Sequence, residues 1–286
     1  LQAGGSLEMA GSLKALAGQV SLGLLGKRGA NGGNDFEPYG YLAGQSIHLA
    51  SGSSIDVSGA VKAVKVPNML AQLLGNPDPL VGEVLSGGTV TLGGTDGQAT
   101  RGQLLMDEGA TIKLNGATAQ LSSDALGTTS TRSAAAGTLN IMNSDGFSLL
   151  GTIEAKAPDA SVAGGTLNMA LSKEGLLDAV DGDQHPYPDA KLRTIRIADT
   201  NEAAKSLNDE RQFGQGVMSA QLINSSGFDR VGLRADESIQ LNAGANLLAD
   251  EGRGRLQSVV LNAAVIDVAD GASTHIDLGL VENRLG

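Results

Sequence analysis

From Val231 to Leu278 the apolar residues fall in short alternating pairs: Val231/Leu233, Ile239/Leu241, Leu247/Ala249, Val259/Leu261, Ile266/Val268 and Ile276/Leu278. Strand side chains alternate between faces with period two, so each pair sets two side chains on one face of a short extended segment. Gly, Asn, Asp and Ala separate the pairs, and these residues turn a chain at little cost. Counted from their first members, the pairs recur after 8, 8, 12, 7 and 10 residues, which is too short for crossover helices. The pattern predicts strands wound into a repeating coil. With two strands per turn, Ile239 lies under Val259 and Leu247 under Ile266. With three, Val231 lies under Val259, Ile239 under Ile266 and Leu247 under Ile276. The spacing alone permits both.

The same rhythm is cleanest in AGQSIHLASGSSIDVSGA, residues 43–60, where Ile47, Leu49, Ile55 and Val57 are expected to point inward and Ser46, His48, Ser54 and Asp56 outward, with Gly52 and Gly59 at corners. Ile112 and Leu114, Ile239 and Leu241, Val259 and Leu261, and Ile266 and Val268 extend the expected inward ladder. Residues 1–25 carry the pattern loosely. The Gly-rich run that follows reads as a longer corner. Residues 61–85 contain Pro67, Pro77 and Pro79 around MLAQLLG and read as a loop excursion with a short helical turn. Residues 172–213 form a second expected excursion from the coil. There Ser172 is placed to cap a helix through KEGLLDAV, TIRIA returns to strand rhythm, and NEAAKSLNDERQ has helical composition.

Composition supports a slender body. Only 2% of the 286 residues are aromatic and Trp is absent, whereas a broad globular core is normally filled with large rings. Gly accounts for 41 residues, about twice the usual share, yet 41% hydrophobic content is too high for a disordered linker. The absence of Cys suits a chain that crosses an envelope unfolded. A net charge of -11 disfavours phosphate backbones and anionic lipid, and no run approaches the 18 or more apolar residues of a membrane span, so neither nucleic-acid binding nor membrane insertion is expected. Beginning at Leu1 within a repeat-like phrase, the chain reads as a single segment, 1–286, of a longer polypeptide.

Phrases of the form IxLxxGxxIDVSG followed by GG-[TS]-[VL]-x-[IL] recur here as GGTVTLGG at Gly87, MDEGATIKLNGA at Met106, GGTLNIMNSDGFSLLGTIEA at Gly137, GGTLNMALS at Gly164 and DESIQLNAGANLLA at Asp236. Together they resemble the repeats of large bacterial exoproteins of the filamentous haemagglutinin family, which are exported by two-partner secretion. The resemblance covers about two-thirds of the chain and implies an all-β fold, a right-handed parallel β-helix (solenoid) with short extra-helical excursions. It further implies a secreted protein at the bacterial cell surface, exported through an outer-membrane two-partner secretion transporter. Its role would be to form the shaft of an adhesin that mediates or displays adhesion to a host-cell or bacterial surface receptor or glycan. The alternatives are the stalk of a contact-dependent growth inhibition toxin, a polysaccharide lyase or glycosidase on a β-helix, and an inert structural shaft.

No catalytic constellation stands out, and the chain is read as a non-enzyme without cofactors. It has no nucleophile elbow, and His48, His185 and His275 are far apart. Acid chemistry on polysaccharide would need clustered carboxylates with a basic group, and the best cluster is Asp178, Asp181, Asp183 and Asp189 with Lys191 and Arg193. Asp178, Asp181 and Asp183 are also weak candidates for a metal site, though the order of an EF-hand loop is missing. Gly29 to Asp35 only brushes against the calcium-binding nonapeptide, and Asn224-Ser225-Ser226 matches a glycosylation sequon.

Overall fold

The computed structural model describes residues 1–3, 5–24, 45–94, 102–125, 127–172, 192–209, 213–248 and 256–275. Strands dominate, and they build parallel sheets that the chain visits in rotation. A first sheet of seven strands takes, in spatial order, Gln2–Ala3, Gln19–Leu24, Thr89–Gly93, Thr138–Asn143, Gly165–Leu171, Phe228–Ala235 and Ser258–Asn262. A second sheet of eight strands begins with Leu7–Met9, Ser46–Leu49, Gln103–Met106 and Gly146–Leu149 and ends with Ser238–Leu241 and Val265–Val268. The third direction is filled by a four-stranded sheet, Ser12–Lys14, Ser54–Asp56, Thr111–Lys113 and Thr152–Glu154, and by a pair, Asn246–Leu248 with Ser273–His275.

The pairing decides between the two windings. Val231 is in register with Val259 and Ile239 with Ile266, spacings of 28 and 27 residues, so one circuit holds three strands. Leu247, however, pairs with Thr274 and not with Ile276. Inward side chains stack rung on rung: Leu139, Leu167 and Val231 in the first sheet, Ile47 and Leu104 in the second, Ile55, Ile112 and Ile153 in the third. They meet in one continuous buried cluster. Ile47, Leu49, Ile55, Val57, Ile112, Leu114, Ile239 and Leu241 are all buried within it, and Val259 and Leu261 are partly buried against it. Ile266 and Val268 keep the ladder register but are 47% and 50% exposed, and among the described residues their strand is paired on one side only.

The recurring Gly-Gly phrases have a packing cause. At the corner leading into the first sheet Gly18, Gly88 and Gly137 lie one above another. A Cβ on Gly88 would come within 1.8 Å of the Gly18 carbonyl oxygen, and one on Gly137 within 2.1 Å of that of Gly88. Thr89 N–H donates to Gly18 O and Thr138 N–H to Gly88 O, both at 3.0 Å. The ladder thus continues around the corner only where no side chain intervenes.

One circuit departs from the rule. Thr194–Ala198 pairs with both Gln215–Ser219 and Ser238–Leu241, while Gln215–Ser219 also pairs with Gly146–Leu149. The chain therefore lays one strand a rung ahead and returns through helix α1 (Asn201–Asp209) to fill the gap. Ala204 of α1 is buried against Ala198 and Val217 outside the sheet. Helix α2 (Ala220–Ser226) then replaces the third-sheet strand and sends Leu222 and Ile223 into the core. Ser219 caps it by accepting from Leu222 N–H, and Gly227 ends it at φ +86°. A helix is about 10 Å across, close to two strand spacings, which matches the two strands laid in the second sheet. The first sheet advances a single rung there and shifts register between Gly165 and Thr166.

The excursion expected at 61–85 is not a loop. It is an antiparallel hairpin, Ala60–Lys65 with Leu80–Leu85, carrying a short helix, Met69–Leu73, at its tip. A second hairpin, Ala117–Ser122 with Thr129–Ala134, was not foreseen; it touches the first through Leu80 N–H donating to Ser122 Oγ and Asn68 Nδ2 donating to the carbonyl of Ala125. Of the excursion expected at 172–213, TIRIA is a strand within the second sheet and NEAAKSLND is α1. The helix expected through KEGLLDAV lies outside the described residues.

Phe147 is the one large ring in the second sheet's ladder, and its rung partner is Gly216, where a Cβ would meet the ring at 2.3 Å. Gly216→Val should overpack that rung and cost about 1–3 kcal/mol in urea unfolding. The double variant with Phe147→Ala should recover part of the loss, and strict additivity would show that ring and glycine are not matched.

Candidate binding face

The outer faces of the three sheets differ in charge. On the third, the register places Lys14 beside Asp56, Asp56 beside Lys113, and Lys113 beside Glu154. Signs alternate up the ladder, and Lys14 Nζ stands 3.8 Å from Asp56 Oδ2. Burial alone would raise the Asp56 carboxyl. Hydrogen bonds from Ser58, then Lys14 and Lys113, outweigh it and hold Asp56 below its ordinary value of 3.8. This face neutralises itself. On the second sheet His48 Nε2 lies 2.8 Å from Asp107 Oδ2, another local pair.

The first sheet is different. Its seven strands contain a single carboxylate, Asp229. That residue is buried and accepts hydrogen bonds from Gly164 N–H and Gln257 Nε2. The outward row reads Ser21, Thr91, Asn140, Asn168, Gly232 and Val260, one residue per rung. Asn168 Nδ2 donates to Asn140 Oδ1 at 3.0 Å, so the amides form a ladder. Arg230 and Arg234 are exposed on the flanking rows, on either side of Gly232. The outward row and Arg234, but not Arg230, line an open trough of about 600 Å³, and no Asp or Glu is among its described lining residues. Small polar side chains and amides along a repeating floor offer hydrogen bonds at regular intervals.

A second exposed feature is the tip of the first hairpin. Met69 and Leu73 are 86% and 81% exposed, while Asn68 caps their helix by accepting from Leu70 and Ala71 N–H, and Asp78 accepts from Asn68 N–H and Gln72 Nε2. Polar bonds hold the helix while its apolar side chains remain in water.

Asp178, Asp181, Asp183, Asp189, Lys191, His185 and Gly29 to Asp35 lie outside the described residues, as does the side chain of His275. Arg193, expected as the basic partner of the acidic run, is buried, with its guanidinium 5.1 Å from the Phe213 ring centre. It faces the interior and not a cleft. Among the described residues no group of His, Asp or Glu could hold a metal ion, and no helix is long and apolar enough to cross a membrane. Asn224 of the sequon-like triplet donates its side-chain amide to Asn246 O from within α2. The sequence signal that would have found the trough is the near absence of carboxylates from one strand set in an acidic chain. Ser219 and Gly227, eight residues apart around AQLINSS, mark α2 in the same way.

Comparison with protein-family models, with curated proteins and with solved structures returned no match.

Asp56 supports a pH prediction. Its folded pKa is depressed, so its contribution is fully present above the unfolded value of about 3.9 and is lost as pH falls through the folded value. Asp56→Asn should lower stability by about 1 kcal/mol near neutrality. The difference from the parent should shrink as pH falls through the folded value. A gap that is constant across that titration would mean the carboxylate charge contributes nothing.

Proposed function

We propose that the chain is a right-handed parallel β-helix segment of a secreted, filamentous haemagglutinin-like exoprotein, forming part of a shaft that mediates or displays adhesion at the bacterial cell surface. The observation that carries this reading is the rotation of the chain through three parallel sheets, with Val231 over Val259 and Ile239 over Ile266 one circuit apart. The repeated IDVSG and GG-[TS] phrases resemble that family, and the corner glycines account for half of the phrase. Export would use an outer-membrane transporter of the two-partner type, for which a chain without Cys, built of locally paired circuits, is suited.

The geometry makes the segment shorter than a two-strand winding implies. Eight strands in the second sheet, at about 4.8 Å each, give roughly 34 Å of shaft. Reach comes from adding circuits, and the flat polar faces and projecting hairpins are what each length of shaft displays.

Beads coated with the purified chain should adhere to epithelial or bacterial cells more than beads carrying Ile55→Asp, in which an unpaired charge replaces a fully buried ladder residue and costs several kcal/mol. Equal adherence of folded and unfolded chains would overturn the adhesive reading.

A further inference from the structure

We propose that one face and the tip of the first hairpin form a two-fold docking surface for a second copy of this chain, so that copies pair side by side through their hairpins. Such pairing is independent of whether the chain adheres to anything.

The concentration of exposed apolar side chains is the first reason. Eight of the fifteen large apolar residues exposed among the described ones lie between Val61 and Val81. Val64 is in register with Val81, so the two stand on one face of the hairpin, and both are exposed. Beyond them Met69, Leu70, Leu73 and Leu74 are exposed along the tip helix and at its C-terminal end. This tip is not a frayed end. Asn68 Oδ1 accepts from Leu70 and Ala71 N–H, Asn68 Nδ2 donates to Ala125 O at 2.8 Å, and Gln72 Nε2 donates to Asp78 Oδ1 at 2.7 Å. Polar bonds fix the apolar side chains in water, which is how an interaction surface is presented.

Area is the second. At roughly 100 Å² for each exposed side chain of this size, the six present about 600 Å² per copy. Two copies face to face would remove about 1,200 Å² from water, the lower end of the range for specific interfaces, so the expected pair is a weak one.

Charge is the third. Lys62 is in register with Glu83 on the same face as Val64 and Val81, its Nζ 3.8 Å from Glu83 Oε1, and both side chains are exposed. One residue of each sign beside an apolar patch is self-complementary. A two-fold axis through the patch sets Lys62 of one copy against Glu83 of the other, and the reverse. A lipid surface would accept the apolar tip but offers nothing to this pair, and anionic headgroups repel a chain of net charge -11.

Sedimentation equilibrium of the whole chain between about 1 and 200 μM should show monomer and dimer, with a dissociation constant in the tens of micromolar, on the order of -6 kcal/mol. Met69→Asp with Leu73→Asp should raise that constant about tenfold or more. Both side chains already stand in water in the single copy, so the fold should be kept, as circular dichroism would check. Lys62→Glu and Glu83→Lys should each weaken self-association. A mixture of these two variants should pair about as well as the parent, because every contact between copies is then of opposite sign. A chain that stays monomeric throughout, a dimer indifferent to Met69→Asp with Leu73→Asp, or a mixture no stronger than its components would each overturn the proposal. Phosphatidylcholine vesicles supply the remaining arm. A monomeric parent that floats with them, and a double variant that does not, would assign the patch to lipid and overturn the second copy.

Discussion

Within the three parallel sheets nearly every strand satisfies its backbone by pairing with its equivalent one circuit away, and the other features of the molecule accommodate that requirement. Buried N–H and C=O groups must find partners, so a corner between sheets has to pass without opening the ladder. Gly18, Gly88 and Gly137 make this possible because the carbonyl of one rung occupies the space that a Cβ of the next would need. The corner between the first and second sheets uses side chains instead. Asn143 donates to Gly102 O and accepts from Asp145 and Gly146 N–H, while Asp145 accepts from Gly102 N–H. These buried polar residues replace the pairing that the bend removes.

In the core, the same constraint fixes size as well as polarity. Stacked positions share a narrow interior, so aliphatic residues lie over aliphatic ones, and a large ring is admitted only where its rung neighbour is glycine, as at Phe147 and Gly216. Excursions leave where they do not interrupt pairing. The two hairpins depart after the third-sheet strands, and the Cβ of Gly59 would strike both Leu85 O and Ala117 N, so the bases of the hairpins are packed one on the other. The extra strand and α2 lengthen two sides of the stack together, and the first sheet, left one rung short, absorbs the difference as a register shift.

Function, on this view, is a property of faces. A stack of parallel strands has few concavities, and its outward rows repeat whatever residue each circuit places there. Alternating charges on the third sheet cancel along the axis. On the first sheet the outward row is of hydroxyls and amides, and these share an open trough.

Much of the architecture was legible from residue order, because period-two pairs such as Ile47/Leu49 and Ile55/Val57 report directly on which side of a strand is buried, and Gly-Gly phrases report where the chain must pass close to itself. The hairpin at 117–134 left no such trace: TAQLS and TSTRS are polar and exposed or half-buried apart from Leu121, so no run of alternating apolar residues marks them. At 61–85 three prolines masked strands that pair antiparallel outside the core, where proline at the tip is harmless. The number of strands per circuit, the pairing of Leu247 with Thr274, the strand laid out of order at Thr194–Ala198 and the burial of Arg193 were decided by tertiary structure alone. Each depends on which distant segment arrives as neighbour. The alternation of residues states which side of a strand is inward, but not which rung lies beneath it.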